Sequence, residues 1–194
     1  MEHHETLLRS VGTSTSVGPF KWGGVLPLTG AVGLSGEIPI TKVMGDDFDA
    51  EETRSFLQNY IDQHGLLSFI DLTVESLGPD EMVLRVPFDE SLVNRDPGNG
   101  SVHGGVAATL IDTAGGLSVL STMADPPNAN VATTDLNVSY LRPTRGDLIA
   151  TAEVLRTGST VGVATVDVES TVPSGGRDLV AVGRGTYRVL RSEN

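Results

Sequence analysis

From residue 44 onward the apolar positions of this 194-residue chain follow two rhythms, one near 3.6 and one of 2; before that they follow neither. Residues 1 to 43 are rich in Gly, Ser, Thr and Pro and read as a flexible N-terminal extension, which leaves 44–194 as the domain. The segment MGDDFDAEETRSFLQNYIDQHG opens on acids and places Phe56, Leu57, Tyr60 and Ile61 at helical spacing, with Gly65 as the stop. LLSFIDLTVESLG (66–78) and EMVLRVPF (81–88) alternate like strands and form a hairpin turning at Gly78, Pro79 and Asp80.

After a loop of Asn, Asp, Pro and Gly at 94 to 100 comes a long helix over about 104 to 124. Its apolar residues fall on every side, as expected of a helix enclosed by protein. Four further strands follow, in NVATTDLNVSYLRP, GDLIATAEVLRTG, TVGVATVDVESTV and RDLVAVGRGTYRVL. The order predicts an α+β fold, a mostly antiparallel sheet with a helix laid against one face, and its free edges invite dimerisation. In the strand 131–140, strict alternation puts Thr134, Leu136, Val138 and Tyr140 on one face, and Thr133, Asp135, Asn137 and Ser139 on the other.

Charge and composition narrow the function. The net charge is −12 and the only lysines are Lys21 and Lys42, so a nucleic acid partner is not expected. There is no cysteine, which removes thiolate nucleophiles and cysteine zinc sites and fits a reducing, cytoplasmic setting. Such an acidic surface suits a salty cytoplasm, and equally an ordinary acidic enzyme. The apolar stretch 23–36 contains Pro and many Gly and follows Glu2 and Glu5, against a secretion signal; no run is expected to span a membrane. His3, His4, His64 and His103 form no metal-binding pattern, and H-E-x-x-H, G-x-S-x-G and P-loop motifs are absent.

The candidate chemistry lies in NGSVHGGVAATLIDTAGG, 99 to 116. Asp112 is one acid inside an apolar helix, and a buried carboxylate is costly unless it is hydrogen-bonded. It is therefore either paired to a neighbour such as Thr109 or Thr113, or kept as a general base or nucleophile. Gly104 and Gly105 open the helix with unobstructed N–H groups, suited to charge developing on a carbonyl oxygen, and His103 stands beside them. Gly115 and Gly116 each disfavour a helix by about 1 kcal/mol relative to alanine, a cost that suggests close approach by another backbone or a ligand. Arg142, Arg145 and Arg156 are partners for phosphates or plain surface charges.

G-x-V-H-G-G-V-A-A-T-L-I-D-T-A, then T-T-D-L-N-V-S-Y-L-R-P-x-x-G-D-L and A-V-G-R-G-T-Y-R-V, resemble the hotdog-fold acyl-CoA thioesterases of the phenylacetic acid degradation protein type, relatives of the 4-hydroxybenzoyl-CoA thioesterases. The resemblance covers about 48 to 190. It implies a long central helix wrapped by a six-stranded antiparallel sheet, homodimers that often pair into tetramers, and acyl-CoA hydrolysis with no metal and no cofactor. Asp112 matches the catalytic acid, Gly104 the backbone donor, His103 its neighbour, and Thr133 a hydroxyl that helps hold the attacking water. Relatives carry an asparagine where this chain has Pro97, so Asn94 or Asn99 stands in its place. Gly105, Arg142 and Arg145 complete the expected substrate contacts. The turn at Gly158, Ser159 and Thr160 lacks the basic residue often found there. A non-catalytic hotdog that binds acyl-CoA as a sensor is the competing reading.

Spacing adds one expectation. Nine residues of helix are two and a half turns, so Asp112 points away from His103 and lies about 13 Å along the axis. A two-fold dimer sets the start of one helix beside the middle of its partner, and so assembles each site from two chains.

Overall fold

The computed structural model describes residues 49–78, 81–95 and 100–191. The extension 1–43, the boundary at Met44, Pro97 and Asn99 lie outside them. The chain runs α1 (Ala50–Gln63), α2 (Gly65–Phe69), β1 (Thr73–Leu77), β2 (Met82–Val86), α3 (Gly104–Ser121), β3 (Ala129–Tyr140), β4 (Leu148–Thr157), β5 (Val161–Thr171) and β6 (Arg177–Arg191). All six strands form one antiparallel sheet in the order β1-β2-β4-β5-β6-β3. α3 packs across β2 to β6, the hotdog arrangement.

The α1 helix starts where its sequence says it should. The Asp49 carboxylate accepts from the N–H groups of Glu51 and Glu52 at 2.9 and 3.0 Å, and both acids sit in the first turn, where the helix dipole favours them. Leu57 and Ile61 face the core, and Gln58 ties α1 to the sheet by accepting from the Val74 N–H at 2.8 Å. The next segment departs from expectation. Gly65 opens α2 instead of stopping a helix, and 66–69 is helical rather than extended, so β1 begins only at Thr73. Leu67 and Ile70 are buried while Leu66 and Phe69 are exposed, an i, i+3 division that a strand cannot make. Asp71, at φ 52°, then reverses the chain into β1.

α3 passes the length and hydropathy test for a membrane span, contrary to the reading of the sequence. Eleven of its 18 residues are buried, so its apolar surface meets the sheet. β3 departs from strict alternation. A bulge between Thr133 and Asp135 shifts its register on β6, so Val131 and Thr133 face α3 together with Leu136 and Val138, and the two faces drawn from the sequence exchange at that point.

Candidate active site

α3 carries both halves of the candidate chemistry at different places. At its start His103 is the N-cap, in an extended conformation with φ −60° and ψ 132°. Its Nδ1 accepts from the Gly105 N–H at 2.9 Å, which places the ring proton of a neutral imidazole on Nε2. Gly105 is thereby occupied. The Gly104 N–H donates to nothing among the described residues, and the first turn of a helix leaves it aimed outward. The Tyr140 hydroxyl donates to the Gly104 carbonyl at 2.9 Å and lays its ring along this turn. The His103 N–H donates to Leu92 O at 2.8 Å and the Val102 N–H to Thr144 O at 2.9 Å, so the approach to the helix is held from two sides. A cavity of about 350 Å³ opens here, lined by His103, Gly104, Tyr140, Asn94 and Arg142 among others. Arg142 is ion-paired to Asp178 at 3.1 Å, and Arg145 is exposed and lines neither this cavity nor the next.

Asp112 lies about two turns further on and is half-buried rather than sealed. Its Oδ1 accepts from the Thr133 hydroxyl at 2.7 Å, a charge-assisted bond made possible by the β3 bulge. The partner is thus Thr133, not Thr109 or Thr113. Both line, with Tyr60, His64, Leu66 and Gly116, a second cavity of about 260 Å³. Within one chain, then, the open N–H and the carboxylate belong to separate recesses.

Tyr187 is the residue that sequence reasoning missed. Fully buried, it donates its hydroxyl to the Asp112 carbonyl at 3.2 Å, and a Cβ at Gly115 or Gly185 would run into that hydroxyl. What approaches Gly115 is therefore a side chain. Burial and the nearby Asp112 charge push the Tyr187 hydroxyl well above its usual range, so it stays protonated and keeps donating. The sequence signal was Gly185, two residues before Tyr187, which like Gly115 leaves room for that hydroxyl.

Residues 99–173 match the thioesterase superfamily model. A candidate esterase of Halobacterium salinarum is 56% identical over 148 residues, covering 75% of this chain and 98% of that protein. The chain belongs to the thioesterase superfamily. This superfamily member is also 32% identical to human acyl-coenzyme A thioesterase 13 over 117 residues, 59% of this chain and 77% of the human one. A thioesterase family protein from Silicibacter pomeroyi shares the fold with a TM-score of 0.65 at 23% identity, covering 72% of this chain and 99% of its own. Thioester hydrolysis is the chemistry of the family, and this chain is a thioester hydrolase.

Proposed function

We infer that the substrate is an acyl-CoA, cleaved to free acid and CoA by a homodimer, with Asp112 as general base or nucleophile and the Gly104 N–H as oxyanion donor. The observation that carries this reading is the separation of the two groups into different cavities of one chain. β3 supports the way they meet. It is one of the two edge strands of the sheet, and it touches Asp112 through Thr133 near its start and Gly104 through Tyr140 at its end. Pairing two such edges antiparallel about a two-fold axis sets the Thr133 end of one strand beside the Tyr140 end of the other. Asp112 then faces the partner's Gly104 across the new seam.

In the general-base course, Asp112 takes a proton from a water that the Thr133 oxygen helps to hold. The resulting hydroxide adds to the thioester carbon, and the oxyanion accepts from the partner's Gly104. Collapse expels the thiolate of CoA, to which Asp112 returns the proton. In the nucleophilic course the carboxylate itself adds to that carbon, the adduct breaks its C–S bond and expels the CoA thiolate, and water then cleaves the resulting anhydride, giving one proton to the thiolate and freeing the acid and the Asp112 carboxylate. Neither course uses a metal or cofactor. The missing cysteines and the −12 charge support a cytoplasmic setting.

Complementation tests the shared site. Gly104→Pro removes the N–H without breaking the helix start: Pro is tolerated at the first helical position, and His103 already has the extended backbone that precedes a proline. Mixed with Asp112→Asn under subunit exchange, it should restore activity to roughly a quarter of wild type, because half the dimers are mixed and half their sites are whole. Demonstrated exchange without recovery places both groups in one chain and defeats the model. An acyl-CoA sensor would bind its ligand with no turnover in any combination.

A further inference from the structure

Asp112 is held at two points, by two hydroxyls that come from facing positions in the sheet. Thr133 on β3 and Tyr187 on β6 are direct cross-strand partners, at the edge of the β3 bulge. The Thr133 hydroxyl donates to Asp112 Oδ1 at 2.7 Å, and the Tyr187 hydroxyl donates to the Asp112 carbonyl at 3.2 Å. One contact is to the tip of the residue and the other to its backbone. Folding accounts poorly for the second. Inside α3 the Asp112 carbonyl already receives the Gly116 N–H of the helix ladder, so it has a partner without the tyrosine. The core has no need of the phenol oxygen either. A Cβ at Gly115 would collide with that oxygen, while the nearest ring carbons stand at 3.0 and 3.2 Å, so glycine in mid-helix chiefly makes room for the hydroxyl. Glycine is a poor helix former, and phenylalanine would fill nearly the same volume with no buried hydroxyl to satisfy.

We propose that Tyr187 is a positioning residue for the reaction: its hydroxyl fixes the backbone at Asp112 while Thr133 fixes the carboxylate, and the pair together aims that carboxylate. The proposal rests on the reading that Asp112 acts on a thioester. An aspartate carboxylate is placed by the frame of its Cα and by two side-chain torsions. A bond at the tip alone leaves the frame to drift, and a bond at the backbone alone leaves the tip to rotate. Held at both, the group keeps one direction. Turnover responds steeply to such placement, because the reacting atoms must sit in near-attack geometry, whereas binding of the rest of the substrate does not depend on it. Burial and the Asp112 charge keep the phenol protonated, so the donor is not titrated away.

The test is Tyr187→Phe in the full chain, assayed by thiol release from straight-chain acyl-CoAs running from acetyl to palmitoyl, alone and combined with Thr133→Val. On its own the change should lower kcat about fivefold while KM stays within about twofold of wild type and the thermal transition nearly in place. Beside Thr133→Val it should lower kcat by less than about twofold more, because a carboxylate freed at its tip gains little from a fixed frame. A tyrosine that only fills the core would act by the same factor in both backgrounds. A wild-type kcat in Tyr187→Phe, a loss carried by KM, activity lost only in step with folded protein, or the same fall repeated in full beside Thr133→Val overturns the proposal. If the wild-type chain hydrolyses none of these acyl-CoAs, the functional reading fails by itself, and the two-point hold is judged by hydrogen exchange at the Gly116 N–H, which donates to the same carbonyl. Exchange about tenfold faster in Tyr187→Phe, with the thermal transition unmoved, sustains the hold, and equal rates remove it.

Discussion

The two recesses along α3 are built by different means. At the helix start the useful group is part of the backbone. Gly104 offers an N–H because a first turn leaves one over, and the surrounding contacts from His103, Tyr140, Leu92 and Thr144 fix where it points. Eight residues on, the useful group is a side chain, and its position depends on long-range packing: a bulge that brings Thr133 to it and a tyrosine from the last strand that holds its turn of helix. A backbone donor tolerates drift in side chains so long as the turn survives. A carboxylate requires its partner hydroxyl, which is why the mid-helix half is the more easily broken by single substitutions.

The largest effect should therefore come from that half. Asp112→Asn keeps the shape and should cut kcat by about 10²–10⁴-fold while the thermal transition stays in place, read by steady-state kinetics beside calorimetry. Gly104→Pro should fall by about 10²–10³-fold, the effect of losing one oxyanion donor. Gly104→Ala is its control, since it presents the same Cβ to the Tyr140 ring at 3.2 Å but keeps the N–H. Equal losses in the Pro and Ala variants would assign the damage to Tyr140 rather than to the missing donor.

Next in size is Thr133. Thr133→Val removes the 2.7 Å bond to Asp112 at constant volume and should slow turnover roughly tenfold, while Thr133→Ser retains most of the rate. If Val and Ser behave alike, the hydroxyl plays no part in holding the carboxylate or its water.

The smallest effect separates the two recesses by pH. Asp147 lies beside the segment that flanks the Gly104 cavity. It accepts from the Phe88 N–H at 2.8 Å and from Arg85 at 2.6 Å, and these contacts hold its carboxyl below the usual carboxylate range. A depressed folded-state value means that the stabilisation is complete above the ordinary aspartate range near pH 4 and is lost as pH falls through the lower folded one. Denaturant midpoints should thus decline below about pH 4, and Asp147→Asn, less stable by about 1–2 kcal/mol at pH 7, should show a shallower decline. An unchanged acid slope in that variant would move the origin of the effect to other carboxylates.

Much of this was legible in the chain. The enclosed helix announced itself by apolar residues on all sides, β3 to β6 by alternation between turn residues, and Asp112, Gly104, His103 and Thr133 by their resemblance to a thioesterase motif. What stayed hidden was non-local. α2 was missed because Leu66-Leu67 is too short a run to show a period, and tertiary burial of Leu67 and Ile70 decided its form. The bulge at Thr133 leaves no mark in an alternating sequence, so Thr133 was assigned to the wrong face even while its role was expected. Tyr187 stands 75 residues from the carbonyl it binds, beyond the reach of any local pattern.

The notch that receives Tyr187 has a consequence for how such a sequence changes over generations. Its hydroxyl occupies the space where Gly115 and Gly185 would each carry a methyl, so neither glycine can mutate alone without dislodging the ring, and trimming the ring first leaves a hole in the core. Three positions on two elements are thereby inherited as a unit. Lineages that abandon the tyrosine should fill the notch from the glycine side, and intermediates holding only one of those changes should be rare.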